Sequence, residues 1–238
     1  MRVAVMSDIH GFDIALDTVL ADLETDGPFD AVIVAGDLCE VGPGPRDVLE
    51  ILQGRDFVVL QGNTDRDIVE HARLGWGRGS TGWVAEQIGD DGVDYLASLP
   101  FDHRITPPGG TSPADDLLVC HANPRNLDDR LAPEMSDREL REVLGGARAA
   151  VVAFGHYHVC FTRRVGETLL VDVSAVGNPK DGDLRCKYGI LSWDETVQRW
   201  TAEIRRLDYP VEETEAQIRA SDLPDADDVI AKLLRAAY

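Results

Sequence analysis

Val3-Ala4-Val5-Met6-Ser7-Asp8-Ile9-His10 carries the decisive pattern: an apolar run that ends on a carboxylate and, one residue further, an imidazole. The same grammar recurs along the chain. Ala31–Ala35 runs into Gly36-Asp37, Phe57–Leu60 into Gly62-Asn63, Leu117–Cys120 into His121, and Ala149–Phe154 into Gly155-His156-Tyr157-His158. These runs are short, largely β-branched and nearly continuous, which predicts strands buried on both faces. Between them lie helical patterns. Apolar residues spaced three and four apart from Ile14 to Leu23 stop at Gly27-Pro28, and Val48 to Leu52 stop before Gly54. The alternation predicts a largely parallel sheet with crossover helices, an architecture that collects ligands at the carboxyl ends of its strands.

Further along, Thr81 to Pro100 reads as helical around a Gly89/Gly92 break, and Thr106 to Pro113 as a surface loop between strands. After Phe154 the pattern changes to hairpins: Val159–Val165 with Thr168–Val173 across Gly166-Glu167, and Tyr188–Trp193 with Arg199–Leu207. These antiparallel pairs predict a second sheet packed on the first. From about Val211 the chain reads as an acidic, partly helical tail. The whole of 1–238 is expected to form one domain, since 238 residues suit a single α/β core.

The formal net charge is −20, from 43 acidic and 23 basic residues, which excludes binding to a nucleic-acid duplex through a basic footprint. It also means that an anionic substrate needs a locally positive site. No apolar run approaches the roughly 18 residues that span a bilayer. The N-terminal run passes directly into a polar turn without a signal peptide's length, so a cytoplasmic protein with no membrane partner is expected. Cys39, Cys120, Cys160 and Cys186 show no CxxC spacing and read as core or loop thiols in a reducing compartment.

Taken singly, the strand-end residues are ordinary: an Asp or Gly-Asn after a strand usually makes a turn. Taken in order they form a series of carboxylate, carboxylate, amide, imidazole and imidazole pair. Mixed oxygen and imidazole donors suit divalent Mn, Fe, Zn or Ni rather than Ca. Divalent ions bound among them would make the site locally positive inside an acidic protein.

The series Asp8-x-His10, Gly36-Asp37, Gly62-Asn63, His121 and Gly155-His156-x-His158 resembles the motif set of the calcineurin-like metallophosphoesterases. Gly42-Pro43-Gly44-Pro45, Tyr95-Leu96-x-x-Leu99-Pro100 and Val176-Gly177-Asn178-Pro179-Lys180-Asp181 are similar to the small prokaryotic members, described as phosphodiesterases or diadenosine-tetraphosphatase-like. The resemblance implies two packed mixed β-sheets flanked by helices, a four-layer α/β/β/α sandwich. It implies a metal-dependent phosphoesterase that hydrolyses phosphodiester or phosphoanhydride bonds of a small phosphorylated substrate with a hydroxide activated by two divalent ions. Asp37 would bridge the ions; Asp8, His10 and His158 would complete the first site, and Asn63, His121 and His156 the second. Asp37, Asn63 and His121 would stand at the chemistry, with Asn63 and Arg125 touching substrate.

Two positions depart from the family pattern. Many relatives carry His directly after the Asn, as leaving-group acid or phosphate ligand; here Thr64 follows, and then Asp65 at the family's acidic, orienting position. Ala122 follows His121 where Gly is common. His71 and His103 lie away from the strand ends. The competing reading is a non-catalytic metal-binding scaffold or interaction protein on the same fold, which loss of ligands would favour; none is lost. The His-x-His-x-Asp-His run of metallo-β-lactamases is absent.

Overall fold

The opening run forms β1 (Arg2–Met6), the middle strand of a five-stranded sheet, in a computed structural model that describes residues 1–75 and 79–237. On one side β1 pairs parallel with β2 (Ala31–Val34), which pairs parallel with β3 (Val58–Val59). On the other it pairs antiparallel with β9 (Cys186–Asp194), and β10 (Arg199–Leu207) closes that edge. Helices α1 (Asp13–Asp26) and α2 (Pro45–Gln53) make the expected crossovers. The second sheet runs β4 (Asp102–Ile105), β5 (Leu117–Cys120), β6 (Val151–Phe154), β8 (Thr168–Asp172), β7 (Phe161–Val165). The architecture is two mixed five-stranded sheets packed face to face and flanked by helices.

The partition between sheets differs from the sequence reading. The five apolar runs do not share one sheet, since β5 and β6 belong to the second, and the hairpins are divided, β7–β8 joining β6 and β9–β10 joining β1. A run buried on both faces satisfies either sheet equally, so its pattern cannot assign it. In β1, Val3 and Val5 face the second sheet, against a layer that includes Leu117, Val119, Val151 and Ala153. Ala4 and Met6 face the helices. On the far side of the second sheet, Leu118, Val152 and Phe154 pack under α5 (Asp137–Leu144).

Two helices follow β3. The first, α3 (Asn63–Leu74), buries only Asp65, Ile68 and Val69, too few apolar positions to stand out in the sequence. The second, α4 (Ser80–Ser98), breaks at Gly89, whose φ of 67° lies outside the helical region. The acidic stretch from Val211 becomes α6 (Val211–Ala220) and α7 (Ala226–Arg235); Tyr238, the last residue of the expected tail, lies outside the described residues. Ile218, Leu223, Ile230 and Leu233 join the helix-side core with Tyr188 and Ile190. No helix among the described residues is long and apolar enough to cross a membrane. All four cysteines are free, and Cys39, Cys120 and Cys186 are buried.

Because α6 and α7 bury full side chains, Ile218→Ala and Leu233→Ala should each destabilise the fold by about 2–5 kcal/mol. Urea denaturation checks this; an unchanged midpoint would mean the C-terminal helices add nothing to the core.

Candidate metal centre

The strand ends meet where the two sheets' carboxyl edges come together, and their loops are laced to one another. The Asp8 amide donates to the Gly36 carbonyl at 3.0 Å, the His10 amide to Asp37 at 2.9 Å, and the Gly155 amide to His121 at 2.9 Å. Five candidate ligands sit in the left-handed region: Asp8 (φ 54°), His10 (53°), Asp37 (55°), His156 (67°) and His158 (57°). Each such residue stores roughly 1–3 kcal/mol that the surrounding structure must offset. The kinks turn the chain at the strand ends, so that Asp8 and His10, and across the boundary His158, meet at a common point.

Glycines make the close approaches possible. A Cβ at Gly62 would collide with the backbone amide and carboxylate of Asp37, and one at Gly155 with the carboxylate of Asp8 and the hydroxyl of Ser7. Asp65 organises the same crossing. Its buried carboxylate accepts the amides of Asp37, Leu38 and Gly62, each at 2.9 Å. Burial and the adjacent Asp37 charge push the Asp65 carboxyl up, to about 7, against the pull of those amides.

Two ligand sets result, and they share Asp37. In the first, Asp8, His10, Asp37 and His158 are all buried and offer atoms within 4.8 Å of one another. His158 Nε2 lies 3.1 Å from Asp8 Oδ1 and 3.1 Å from His10 Nε2, which lies 3.5 Å from Asp37 Oδ2. In the second, His121 Nε2 is 3.4 Å from Asp37 Oδ1 and 2.9 Å from Asn63 Oδ1, and His156 Nδ1 is 2.9 Å from the same amide oxygen. Asp37 thus points one oxygen at each set.

Four backbone carbonyls fix the rings. His10 Nδ1 donates to Glu40 at 2.8 Å, His158 Nδ1 to Asn178 at 2.7 Å, His121 Nδ1 to Ala35 at 2.8 Å, and His156 Nε2 to Asp128 at 3.0 Å. A carbonyl can only accept, so the N–H sits on the outer nitrogen, and in the neutral ring the inner nitrogen presents a lone pair. Burial, joined by the neighbouring His158, pushes His10 down to about 4, against the pull of Asp37. Burial and the adjacent His121 also lower His156. For Asp8, burial works upward, but the imidazoles, His158 first, hold its carboxyl well below the usual carboxylate range.

These residues fit divalent ions. Donors sharing an ion at about 2.1 Å stand about 3.0–3.4 Å apart, and neighbouring donors in the two sets lie 2.9–3.7 Å apart, close to that spacing. Asp8 Oδ1 is fully buried without a hydrogen-bond donor, which suits a metal ligand.

A sequence profile of the calcineurin-like phosphoesterase superfamily domain matches residues 1–196. The chain belongs to that superfamily. A relative, uncharacterized protein MJ0912 of Methanocaldococcus jannaschii, is 24% identical over 244 residues, with 94% of each chain covered. The fold is shared with a metallophosphoesterase from Sphaerobacter thermophilus, at 24% identity, TM-score 0.80, and 100% and 99% of the two chains. Hypothetical protein PH1004 of Pyrococcus horikoshii OT3 shares it at 17% identity, TM-score 0.82, and 99% and 98% coverage.

Arg125 is not brought into the cluster. Its exposed guanidinium donates to the Glu142 carbonyl at 2.9 Å on α5, while Asn123 braces its own loop by accepting the amides of Arg125 and Asn126. Sequence reasoning missed Arg66, whose guanidinium grips Asp128 with two 2.9 Å bonds and so steadies the loop whose carbonyl holds His156. The signal was slight: Arg66 lies one helical turn after Asn63. His71 sits at the opposite end of α3 from Asn63, about 12 Å along the axis. His103 lies within β4 opposite Val119, away from the strand's end.

Gly62→Ala should therefore keep the fold but displace Asp37, weakening Mn binding by about tenfold or more through a rise of at least about 1.4 kcal/mol. Calorimetric titration with Mn, alongside circular dichroism, distinguishes this from unfolding.

Proposed function

We propose that the chain is a metal-dependent phosphoesterase that holds two divalent transition ions and hydrolyses phosphodiester or phosphoanhydride bonds of a small phosphorylated molecule. The observation that carries this is Asp37, whose two oxygens face two separate ligand sets. Asp8, His10 and His158 complete one set around it, and Asn63, His121 and His156 the other. Ions bound there would supply Lewis acidity and a nucleophile at neutral pH. The family membership and the inward-facing donors support the reading.

The chain's own residues do the positioning. Asn63 turns its carbonyl oxygen toward His121 and His156, which leaves its Nδ2 to donate to an equatorial phosphoryl oxygen. Thr64 cannot supply a proton as an imidazole would: its amide is committed to Asp37 Oδ1 at 2.9 Å, and its hydroxyl is buried without a partner. Substrates whose leaving oxygen tolerates negative charge suit this site best.

Elemental analysis of protein purified without chelator should find up to two transition ions per chain. Asp37→Ala should lose both and His158→Ala mainly one; a wild-type protein with no affinity for Mn, Zn or Fe removes the proposal. Across substituted phenyl phosphodiesters, the rate should fall steeply as leaving-group pKa rises. Thr64→His should flatten that slope, because general acid catalysis contributes about 10²- to 10⁴-fold where the leaving group is most basic. A shallow slope in the natural protein would show that the missing imidazole has no catalytic consequence.

A further inference from the structure

The four carbonyls that hold the imidazoles are not equally well fixed. Ala35 and Asn178 are buried. Glu40 is half-buried, and its carboxylate accepts the hydroxyls of Ser80 and Thr81 at 3.1 and 2.6 Å. Asp128 is exposed and lies in a loop, outside any helix or strand. Its carbonyl accepts the His156 Nε2–H at 3.0 Å, and the His156 ring is itself only half-buried. An acceptor in solvent drifts, and a drifting acceptor leaves the ring free to turn and to exchange its N–H between the two nitrogens. Burial and packing fix the other anchors; this one needs a different restraint.

Arg66 supplies it. Its Nη1 and Nη2 grip the Asp128 carboxylate at 2.9 Å each, and its Nε and Nη2 donate to Asp67 Oδ1 at 3.0 and 2.7 Å. Four of the five guanidinium N–H groups are thereby committed, two to each carboxylate. An exposed ion pair usually contributes little, but a bidentate fork whose cation is already tethered is the exception. The loop makes its own turn: Asn126 Oδ1 accepts the amides of Asp128 and Asp129 at 3.0 and 2.8 Å, and Asn123 Nδ2 donates to the Asp129 carbonyl at 2.6 Å. What Arg66 adds is the placement of that turn against α3. This helix opens on Asn63, whose side-chain oxygen lies 2.9 Å from His156 Nδ1. One guanidinium thus ties the element that carries Asn63 to the loop that anchors His156, two members of the same ligand set.

We infer that Arg66 is a positioning residue for the second ion: through Asp128 it holds His156 with its proton on Nε2 and its lone pair on Nδ1 beside Asn63. The inference rests on the two-ion phosphoesterase reading and deepens it, because the second ion then depends on a contact outside the metal centre and the first does not. The geometry leaves a signature. His10, His121 and His158 donate to their carbonyls through Nδ1, whereas His156 donates through Nε2, so it carries the opposite tautomer from the other three. Breaking the Arg66–Asp128 pair releases that tautomer and no other.

Calorimetric titration of the full chain with Mn should resolve two ions. Arg66→Ala, and Asp128→Asn, which keeps the backbone carbonyl, should each weaken the second ion by about tenfold and leave the first unchanged. The double variant should bind no more weakly than either single one, and Arg66→Lys, which can replace one of the two bonds, should fall between. In chelator, nitrogen NMR of the imidazoles should show His156 as the Nε2–H tautomer in the natural protein and as a mixture in Arg66→Ala, with the other three rings unmoved. Folded variants that hold the second ion as tightly as the natural protein, or that weaken both ions alike, would overturn the inference. Two ions bound with the expected dependence on Arg66 but no hydrolysis of bis(p-nitrophenyl) phosphate would keep it and sink the phosphoesterase reading. If the natural protein takes up no Mn, that reading falls as well, and the His156 tautomer still decides whether Arg66 places the ring.

Discussion

Four imidazoles and two carboxylates converge in a buried space where their inner nitrogens approach to 3.1–3.2 Å. Lone pairs of like sign at that distance repel, and the low dielectric of the interior strengthens the repulsion. The surrounding structure supplies the opposing forces. Outer N–H groups are anchored on four carbonyls, Asp65 ties the loops after β2 and β3 together through three amides, and the His156 amide donates to Asp8 Oδ2 at 2.8 Å. Divalent cations held there would convert the same repulsion into attraction, and ion binding would then be linked to folding.

The left-handed kinks belong to the same economy. An extended Asp8-Ile9-His10 would place both side chains on one face but continue the strand away from the second sheet. With Asp8 and His10 at positive φ, Ile9 stays in the helix-side core while the two ligands meet His158 across the sheet boundary. Gly62 and Gly155 then matter for the space a side chain would take rather than for their backbone freedom, because what lies against them is carboxylate.

Much of this was legible in the sequence. The apolar runs announced the strands, and the residues ending them are those the fold gathers into two sets. What stayed hidden has physical reasons. Backbone carbonyls carry no sequence signature, so the anchors at Ala35, Glu40, Asp128 and Asn178 could not be read. Strands buried on both faces fit either sheet, so β5 and β6 could not be assigned. β4, with the sequence Asp-His-Arg-Ile, lacks an apolar run of its own. α5 did leave a trace, because Ser136 and Glu139 form a capping box just before Leu140. The contact of the Arg125 guanidinium with the Glu142 carbonyl on α5 was equally hidden, since its partner is again a backbone group.

The acidity of the chain takes on a different meaning once the charges are placed. Most ion pairs lie on the surface, where each contributes little. One exception among the described residues is Lys187, fully buried, whose ammonium bonds to Asp181 Oδ1 at 3.1 Å and to the carbonyls of Asp183 and Arg185 at 2.8 and 3.0 Å. A buried ammonium with all three hydrogens committed is costly to disturb, and here it fixes the loop from Pro179 to Arg185. That loop carries Lys180 beside His158 on one side and meets the end of α7 on the other. The loop braced by this one structural cation thus touches the histidine, holds the lysine and meets the C-terminal helix through a few well-defined hydrogen bonds.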